Sequence, residues 1–206
     1  MKKIDTVIFD LGAVLIDWRP MNVYEKAFNG DVKKAQWFLE NVCNSTWNAS
    51  LDCGKDWDET IAEKVKDFPE YEQYIRLYKD KWELMLNGEI SGTVEILAKL
   101  KASGKYRLYS ITNWSAQTFE ITFERYPFLK WFEGISVSGY LKMIKPDKEI
   151  YLYTLRNYGI VPENSVFIDD NPANVKTANA LGINGILFTG PEQLAKSLSG
   201  FDINIF

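Results

Sequence analysis

Two short apolar runs, each followed by an acidic side chain, constrain the fold of this chain more than any other feature. Residues 6–9 (Thr-Val-Ile-Phe) lead into Asp10, and residues 166–168 (Val-Phe-Ile) lead into Asp169 and Asp170. Runs of this length and composition are typical of strands buried on both faces of a parallel sheet. Because open α/β sheets bind ligands at the carboxyl ends of their strands, we expect the three carboxylates to share one crevice. Like charges at that range repel each other unless a cation or a proton lies among them.

The second half of the chain alternates between strand and helix patterns. We expect strands at residues 106–112, 135–138, 166–169 and 184–188, and helices at 115–126, 147–158 and 175–181. A further apolar helix pattern ends near residues 103–104, where a glycine is a common helix stop. Strand–helix alternation of this kind produces right-handed crossovers between parallel strands. The sequence therefore predicts an α/β fold with a doubly wound parallel sheet.

The segment between the first two strands has a different character. Residues 22–87 show helical patterns and no expected strand, and the polar stretch 44–58 is expected to be a loop. We therefore expect an α/β core of residues 1–17 and 88–206, interrupted by an inserted helical domain at residues 18–87.

Composition excludes several kinds of chemistry. The 206 residues include no histidine, which removes Ser-His-Asp triads and histidine–zinc sites. A net charge of −4 offers no basic stripe for nucleic acid, and no apolar stretch reaches the roughly 18 residues of a membrane span. The first residues meet an acid too early for a signal peptide, and two cysteines alone indicate reduced thiols. We expect a cytoplasmic protein, a monomer or a homodimer, whose partner is a small molecule and neither nucleic acid nor a membrane.

Several polar side chains are expected to meet at the carboxyl edge of the sheet. They are Asp10, Thr112, Asn113, Lys145, Asp169 and Asp170. This set suits phosphoryl transfer, because a carboxylate can attack phosphorus and Mg²⁺ binds through carboxylates together with the substrate phosphate. Thr112 and Lys145 would hold the phosphoryl oxygens and offset their developing charge.

The four motifs that carry these residues resemble those of the haloacid-dehalogenase-like hydrolase superfamily. They are residues 9–12 (Phe-Asp-Leu-Gly), 110–113 (Ser-Ile-Thr-Asn), 145–147 (Lys-Pro-Asp) and 167–171 (Phe-Ile-Asp-Asp-Asn). Their order and their places in the β/α alternation also match, so the resemblance spans nearly the whole chain.

The resemblance implies a Mg²⁺-dependent phosphatase that acts on a small phosphorylated metabolite. By resemblance, Asp10 is the nucleophile and forms an aspartyl-phosphate, and Thr112 and Lys145 bind phosphate. The residues implied to serve the Mg²⁺ are Asp10, Asp169, Asp170 and Gly12, the last through its backbone carbonyl. The inserted helices resemble the cap that closes over the site in this superfamily and selects the substrate.

Gly12 departs from the pattern of most phosphatases in this superfamily. They carry a second Asp at that place, which protonates the leaving oxygen and later activates water, an effect worth ~10²–10⁴-fold. Without that acid, a sugar 1-phosphate is the better substrate, because its hemiacetal hydroxyl is more acidic than an ordinary alcohol. The motif also looks like that of a bacterial subgroup that includes an α-glucose-1-phosphate phosphatase. A cap residue or a metal-positioned water are the open replacements for the acid, and Asp17 is near in sequence.

Two residues and two rival functions complete the expectations. Trp18 and Trp47 are candidates for substrate contact, because each is expected in a turn or loop near the cap, and Asn113 either binds substrate or orients the loop around the nucleophile. One rival is a 2-haloacid dehalogenase, although such enzymes carry small neutral residues where this chain has Asp169 and Asp170. The other rival is a catalytically weak protein that uses the phosphate site as a sensor. The physiological substrate stays open.

Overall fold

Parallel pairing of five strands forms the centre of the molecule in a computed structural model that describes residues 3–203. In chain order, the strands of this sheet and of a separate two-stranded ribbon (β2 and β3) are β1 (Thr6–Phe9), β2 (Ile16–Trp18), β3 (Leu86–Glu89), β4 (Arg107–Thr112), β5 (Gly134–Val137), β6 (Ser165–Asp169) and β7 (Asn184–Leu187). The central sheet has the order β5-β4-β1-β6-β7, and all four of its pairings are parallel. The prediction of a parallel α/β sheet with β1 buried at its centre is confirmed.

Helices cover both faces of this sheet. In chain order, they are α1 (Met21–Ala27), α2 (Val32–Asn41), α3 (Ser45–Asp52), α4 (Trp57–Asp67), α5 (Glu72–Asp80), α6 (Ser91–Ser103), α7 (Ala116–Arg125), α8 (Ser138–Leu141), α9 (Lys148–Tyr158), α10 (Pro172–Ala180) and α11 (Pro191–Ser199). Successive side chains of β1 point to opposite faces. Val7 and Phe9 join one apolar cluster with α6 and α11, and Ile8 joins another with α9 and α10. The sheet is therefore doubly wound, as predicted.

The chain enters and leaves the inserted helices through a small antiparallel ribbon. β2 pairs with β3, Ile16 lying opposite Glu89 and Trp18 opposite Leu86. The expectation of no strand between residues 22 and 87 was wrong at its end. β3 reads Leu-Asn-Gly-Glu, so it has neither the apolar run nor the alternation that marks a strand in the sequence. The division of the chain at residues 17/18 and 87/88 falls at or beside this ribbon and stays a prediction.

The expected loop at residues 44–58 is largely helical, so this prediction was wrong. α3 occupies residues 45–52, and α4 begins at Trp57. The Asn44 side chain accepts a hydrogen bond from the Trp47 N–H at 2.9 Å and caps α3, and Asp56 caps α4 in the same way. The polar residues that suggested a loop are thus partly N-caps, and only two buried side chains, Trp47 and Leu51, mark the inner face of α3.

The remaining predicted elements lie within a few residues of their expected positions, but strand β2 and helices α8 and α11 were not predicted. Proline opens α11 at Pro191, and Leu194 and Leu198 pack on the sheet. Among the described residues, no helix combines the length and the apolar character that crossing a lipid bilayer requires.

Hydrogen bonds join the inserted helices to the core next to α3. The Ser138 hydroxyl donates to the Asp52 carbonyl at 2.6 Å, and the Lys142 ammonium donates to the Gly54 carbonyl at 2.7 Å. The Trp57 indole N–H donates to the Ser115 hydroxyl at 2.7 Å. The segment around the C-terminal end of α3 is therefore fixed against the loop that follows β4 and against the two ends of α8.

Candidate active site

Three carboxylates meet at the carboxyl edge of the sheet. Asp10 directly follows β1, Asp169 ends the neighbouring strand β6, and Asp170 comes next. One oxygen from each lies within 4.8 Å of the others, a spacing at which a metal ion can be held. Asp10 and Asp169 are buried and Asp170 is exposed. The expected meeting of these acids is therefore present in the geometry.

Lys145 lies among these acids as a buried ammonium. Its Nζ is 2.8 Å from Asp10 Oδ1 and 2.7 Å from Asp169 Oδ2, and it donates to the Ile111 carbonyl at 2.9 Å. Burial alone would lower the pKa of Lys145, but the charges of Asp10 and Asp169 outweigh burial and raise it. The lysine therefore stays charged and holds one oxygen of each carboxylate in place.

The electrostatic balance of this cluster fits a divalent cation. Burial raises the pKa of Asp10 to about 7, with Lys145 opposing the rise and Asp169 adding to it. With every group ionised, the three carboxylates (−3) and the one ammonium (+1) sum to −2. A divalent cation would neutralise this charge and lower the cost of ionising Asp10. Because the remaining donors are oxygens, the residues fit Mg²⁺.

Asp169 and Asp170 are held in different ways. Asp169 Oδ1 accepts from the Asn171 N–H at 2.8 Å and from the Asn174 amide at 2.9 Å. Its Oδ2 accepts from Lys145 and again from Asn174. Both oxygens of Asp169 thus bond to protein donors, whereas Asp170 is open to solvent. The geometry suits Asp169 to anchoring Lys145 and Asp170 to contacting a ligand.

Thr112 ends β4 and Asn113 follows it, and the two side chains differ in their hydrogen bonding. Thr112 is fully buried, and its hydroxyl has no hydrogen-bond partner among the described residues. Such a hydroxyl costs ~1–3 kcal/mol unless a ligand satisfies it, which suits a phosphoryl oxygen. Asn113 uses both ends of its amide on the Lys145 backbone, accepting from the N–H at 2.9 Å and donating to the carbonyl at 3.0 Å. Asn113 therefore positions the lysine.

A cavity of about 100 Å³ lies between this sheet edge and the inserted helices. The residues that line it are Gly12, Trp18, Asn48, Asp52, Trp82, Asn113 and Trp114. Trp18 ends β2 rather than lying in a turn, and it is on the cavity wall, while its contact with substrate stays a prediction. The Trp114 indole N–H is buried without a partner among the described residues, so it is available to a ligand.

Trp47 and Asp17 do not line this cavity. Trp47 lies on α3 and not in a loop, and its ring packs edge-on against Tyr78, with centroids 4.9 Å apart. It therefore belongs to the apolar interior of the inserted helices, which corrects the expectation that placed it near a substrate. Asp17 pairs with Arg19 at 2.8 Å and accepts from the Asn87 amide at 2.9 Å, so its carboxylate is used within the ribbon.

Four cavity residues were missed in the sequence: Asn48, Asp52, Trp82 and Trp114. The signal for the first two was their spacing, because residues four apart lie on one side of a helix. Taking residues 44–58 as a loop hid that signal. The two tryptophans carried no signal of their own in the sequence.

The family model of haloacid dehalogenase-like hydrolases matches residues 7–188. The chain belongs to the haloacid dehalogenase-like hydrolases. The match runs from β1 through the inserted helices to the end of β7, and it includes all the residues of the cluster around Lys145. The resemblance to this superfamily is confirmed, and the narrower one to an α-glucose-1-phosphate phosphatase subgroup stays a prediction.

Relatives of this hydrolase include named phosphatases. It is 26% identical over 192 residues to the phosphorylated carbohydrates phosphatase of Thermotoga maritima, covering 88% of this chain and 83% of that protein. It is 32% identical over 118 residues to the chloroplast flavin mononucleotide hydrolase 1 of Arabidopsis thaliana, covering 56% of this chain. The chain spans less than half the length of some curated relatives that it matches, including 46% of the plant hydrolase.

Solved structures share the fold of this hydrolase. The HAD family enzyme bt-2542 from Bacteroides thetaiotaomicron, in complex with magnesium and inorganic phosphate, aligns with a TM-score of 0.65 at 21% identity. The alignment covers 91% of this chain and 95% of that one. At this identity, the likeness establishes the common architecture alone.

Proposed function

We propose that this hydrolase is a Mg²⁺-dependent phosphatase of a compact phosphorylated metabolite, a sugar phosphate being the first candidate. The observation that carries the proposal is the charge cluster, in which Lys145 joins Asp10 to Asp169 and leaves a net charge of −2 beside the unpartnered hydroxyl of Thr112. A phosphoryl group brings oxygens that Thr112 and Lys145 can bind, and a cation offsets the negative charges that then meet.

Asp10 is the proposed nucleophile. Both hydrogen bonds to its carboxylate, from the Leu11 N–H and from Lys145, use Oδ1, so Oδ2 remains for attack on phosphorus. The bond between phosphorus and the ester oxygen breaks as the aspartyl-phosphate forms, and water then attacks that phosphorus and releases inorganic phosphate. Lys145 and Thr112 stabilise the phosphoryl oxygens throughout.

The metal ligands proposed are Asp10, Asp170 and the Gly12 carbonyl, with Asp169 completing the acidic cluster and anchoring Lys145. When bound, Mg²⁺ supplies Lewis-acid stabilisation of the negative charge on the phosphoryl group. The magnesium and phosphate complex of the Bacteroides enzyme supports this choice of cation and ligand.

The substrate is proposed to be compact because the cavity is small. A volume of about 100 Å³ is well below the ~300–1,000 Å³ of pockets for drug-sized ligands. A cavity of this size favours a compact metabolite over flavin mononucleotide, the compound named for the plant relative. Three tryptophans on the wall (Trp18, Trp82 and Trp114) offer flat apolar faces with polar tips. A sugar 1-phosphate, in keeping with the carbohydrate phosphatase of Thermotoga, is the first substrate to test.

Phosphate release from a panel of phosphorylated metabolites, measured with Mg²⁺ and with EDTA, tests the proposal. We expect turnover of at least one sugar phosphate with Mg²⁺, little in EDTA, and none in Asp10→Asn. The matched control is Asp31→Asn, at the exposed N-cap of α2, where Asn caps equally well and turnover should be unchanged.

The same assays separate the two rivals. Chloride release from 2-chloropropionate that persists in EDTA would identify a dehalogenase. Phosphate-ester binding without any turnover would identify a sensor, the function that Gly12 favours. Full activity in Asp10→Asn would remove the proposed nucleophile.

A further inference from the structure

The proposed reaction leaves one chemical need unmet by the sheet edge. An alcohol leaves phosphorus readily only when its oxygen receives a proton, and a positioned acid contributes ~10²–10⁴-fold to such a step. Lys145 is occupied by Asp10 and Asp169, and Gly12 has no side chain to offer. Among the described residues that line the cavity, Asp52 alone carries a carboxyl group or another acid that could donate this proton.

We propose that Asp52, on the inserted helix α3, is the general acid and base of the hydrolase. This inference rests on the proposed phosphatase function, and it adds a catalytic residue from the part of the cavity wall that α3 contributes. It also explains how Gly12 can occupy its position without loss of proton transfer.

The position of Asp52 is fixed by contacts from both the core and the inserted helices. Its backbone carbonyl accepts a hydrogen bond from the core Ser138 hydroxyl at 2.6 Å. Its carboxylate Oδ2 accepts from the Asn48 amide at 2.7 Å, one turn earlier on α3. The side-chain Oδ1 of Asn48 in turn accepts a hydrogen bond from the buried Tyr78 hydroxyl at 2.7 Å. A chain of three side chains thus orients the carboxyl group at the cavity wall.

The electrostatic surroundings of Asp52 favour the protonated form that an acid needs. Burial raises the pKa of Asp52 to about 8, while hydrogen bonds from the Ser115 N–H and from Asn48 oppose the rise. The charge of Asp10 raises this pKa further, and the charge of Lys145 lowers it. Because its pKa lies near neutral pH, Asp52 can both give and accept a proton.

The proton of Asp52 passes to the leaving group in the first half of the proposed reaction and is regained in the second. Asp10 attacks phosphorus, the phosphorus–oxygen bond to the alcohol breaks, and the departing oxygen takes the bonding pair together with the proton of Asp52. Asp52 is then a carboxylate and removes a proton from the water that attacks the aspartyl-phosphate. The bond between phosphorus and Asp10 breaks, its electrons return to the Asp10 carboxylate, and Asp52 is protonated again.

Leaving-group dependence tests this role, because an acid matters only when the departing oxygen is basic. We would measure kcat/KM with Mg²⁺ for a series from p-nitrophenyl phosphate through phenyl phosphate to glycerol 2-phosphate. Asp52→Asn is expected to lose ~10²–10⁴-fold with the alkyl ester and less than about tenfold with the nitrophenyl ester. A residue that only supported the fold would lower all the rates alike.

The matched control is Asp56→Asn, four residues further along the same inserted segment. Asp56 is exposed and caps α4 by accepting from the Glu59 N–H at 2.9 Å, and Asn keeps that cap. Its kcat/KM values should match the wild type for every ester. Asp52→Ser provides a second variant in case Asp52→Asn folds poorly, and activity with p-nitrophenyl phosphate reports folding in each.

The outcomes separate this inference from the proposed function. A shallow dependence on leaving-group pKa in the wild type and a steep one in either Asp52 variant support the role. An active wild type with the same dependence as the folded variants overturns the role of Asp52 and leaves the phosphatase intact. A steep dependence in the wild type also overturns it, without recourse to any variant. A wild type inactive on all esters overturns the proposed function and this inference together.

Discussion

The sheet edge and helix α3 both hold carboxylates near the same cavity, but they hold them in different electrostatic settings. Asp169 accepts four hydrogen bonds, one of them from the buried ammonium of Lys145. Asp52 is bonded by an amide and a backbone N–H, and burial raises its pKa to about 8. The Asp169 carboxylate lies against a cation that offsets its negative charge, whereas the Asp52 carboxyl group has neutral donors and burial favours its protonated form. The sheet edge is therefore suited to holding charge, and α3 to moving protons.

Removing the buried ammonium of Lys145 should destabilise the carboxylate cluster at the sheet edge. Lys145→Met leaves Asp10 and Asp169 buried without a counterion, which costs ~3–5 kcal/mol of unfolding free energy. Urea denaturation in EDTA measures this loss, and phosphate release should disappear as well. Lys148→Met, at the exposed first residue of α9, should change the unfolding free energy by less than about 0.5 kcal/mol. Similar stabilities of the two variants would mean that the cluster does not depend on the lysine.

Adding Mg²⁺ should stabilise the folded protein through the carboxylate cluster at the sheet edge. A cation that binds only the folded protein stabilises it by ~2.7 kcal/mol at a hundred times its Kd. We expect the thermal midpoint to rise with MgCl₂ but not with KCl of equal ionic strength. Asp170→Asn should lose most of this rise, because it removes the carboxylate that is open to a ligand. An equal rise in that variant would place the ion elsewhere.

Moving the acid from residue 52 on α3 to residue 12 at the sheet edge tests whether a carboxyl group at either position can protonate the leaving oxygen. A Cβ added at Gly12 lies 3.8 Å from the Trp114 ring, an ordinary contact, so a side chain fits there. Gly12→Asp in the Asp52→Asn background should recover about tenfold to a hundredfold in kcat/KM for glycerol 2-phosphate. Gly12→Asn in that background has the same shape without an acid and should recover nothing. Equal rescue by both would show that the gain is not proton transfer.

The raised pKa of Asp52 predicts a pH dependence of stability in metal-free protein. The folded state keeps a proton that the unfolded chain loses between the ordinary pKa of 3.8 and about 8. This group therefore lowers the unfolding free energy as pH rises through that window, by at most ~1.4 kcal/mol per pH unit. Asp52→Asn lacks this term, so its stability relative to wild type should increase with pH, as measured by urea denaturation in EDTA. Asp56→Asn should follow the wild type, and parallel curves for all three would contradict the shifted pKa.

The residues at the carboxyl edge of the sheet could be predicted from the sequence, because each buried strand is an apolar run that ends at a polar residue. An apolar run followed by an acid places Asp10 and Asp169 at neighbouring strand ends, since parallel strands share one edge. Thr112 follows from the same logic. The bonds between Asn113 and the Lys145 backbone did not follow, because they join residues 32 apart through loop geometry that no local pattern encodes.

The inserted helices were harder to read for a physical reason. α3 is short, and its inner face has only two buried residues, Trp47 and Leu51, so tertiary packing rather than local periodicity makes it a helix. This error placed Trp47 near the substrate and hid Asn48 and Asp52. Contacts across the cavity, such as that between Ser138 and Asp52, became visible only with the fold.

The Ser138 hydroxyl accepts a hydrogen bond from the backbone N–H of Trp114 at 2.8 Å and donates one to the backbone carbonyl of Asp52 at 2.6 Å, so one oxygen atom joins the core to the inserted helices. A substrate too bulky for the cavity would push the inserted helices away from the core. This movement would stretch the Ser138–Asp52 hydrogen bond and move Asp52 away from Asp10. An oversized ester would then lower kcat as well as raise KM, because the leaving oxygen would no longer lie within reach of the Asp52 proton.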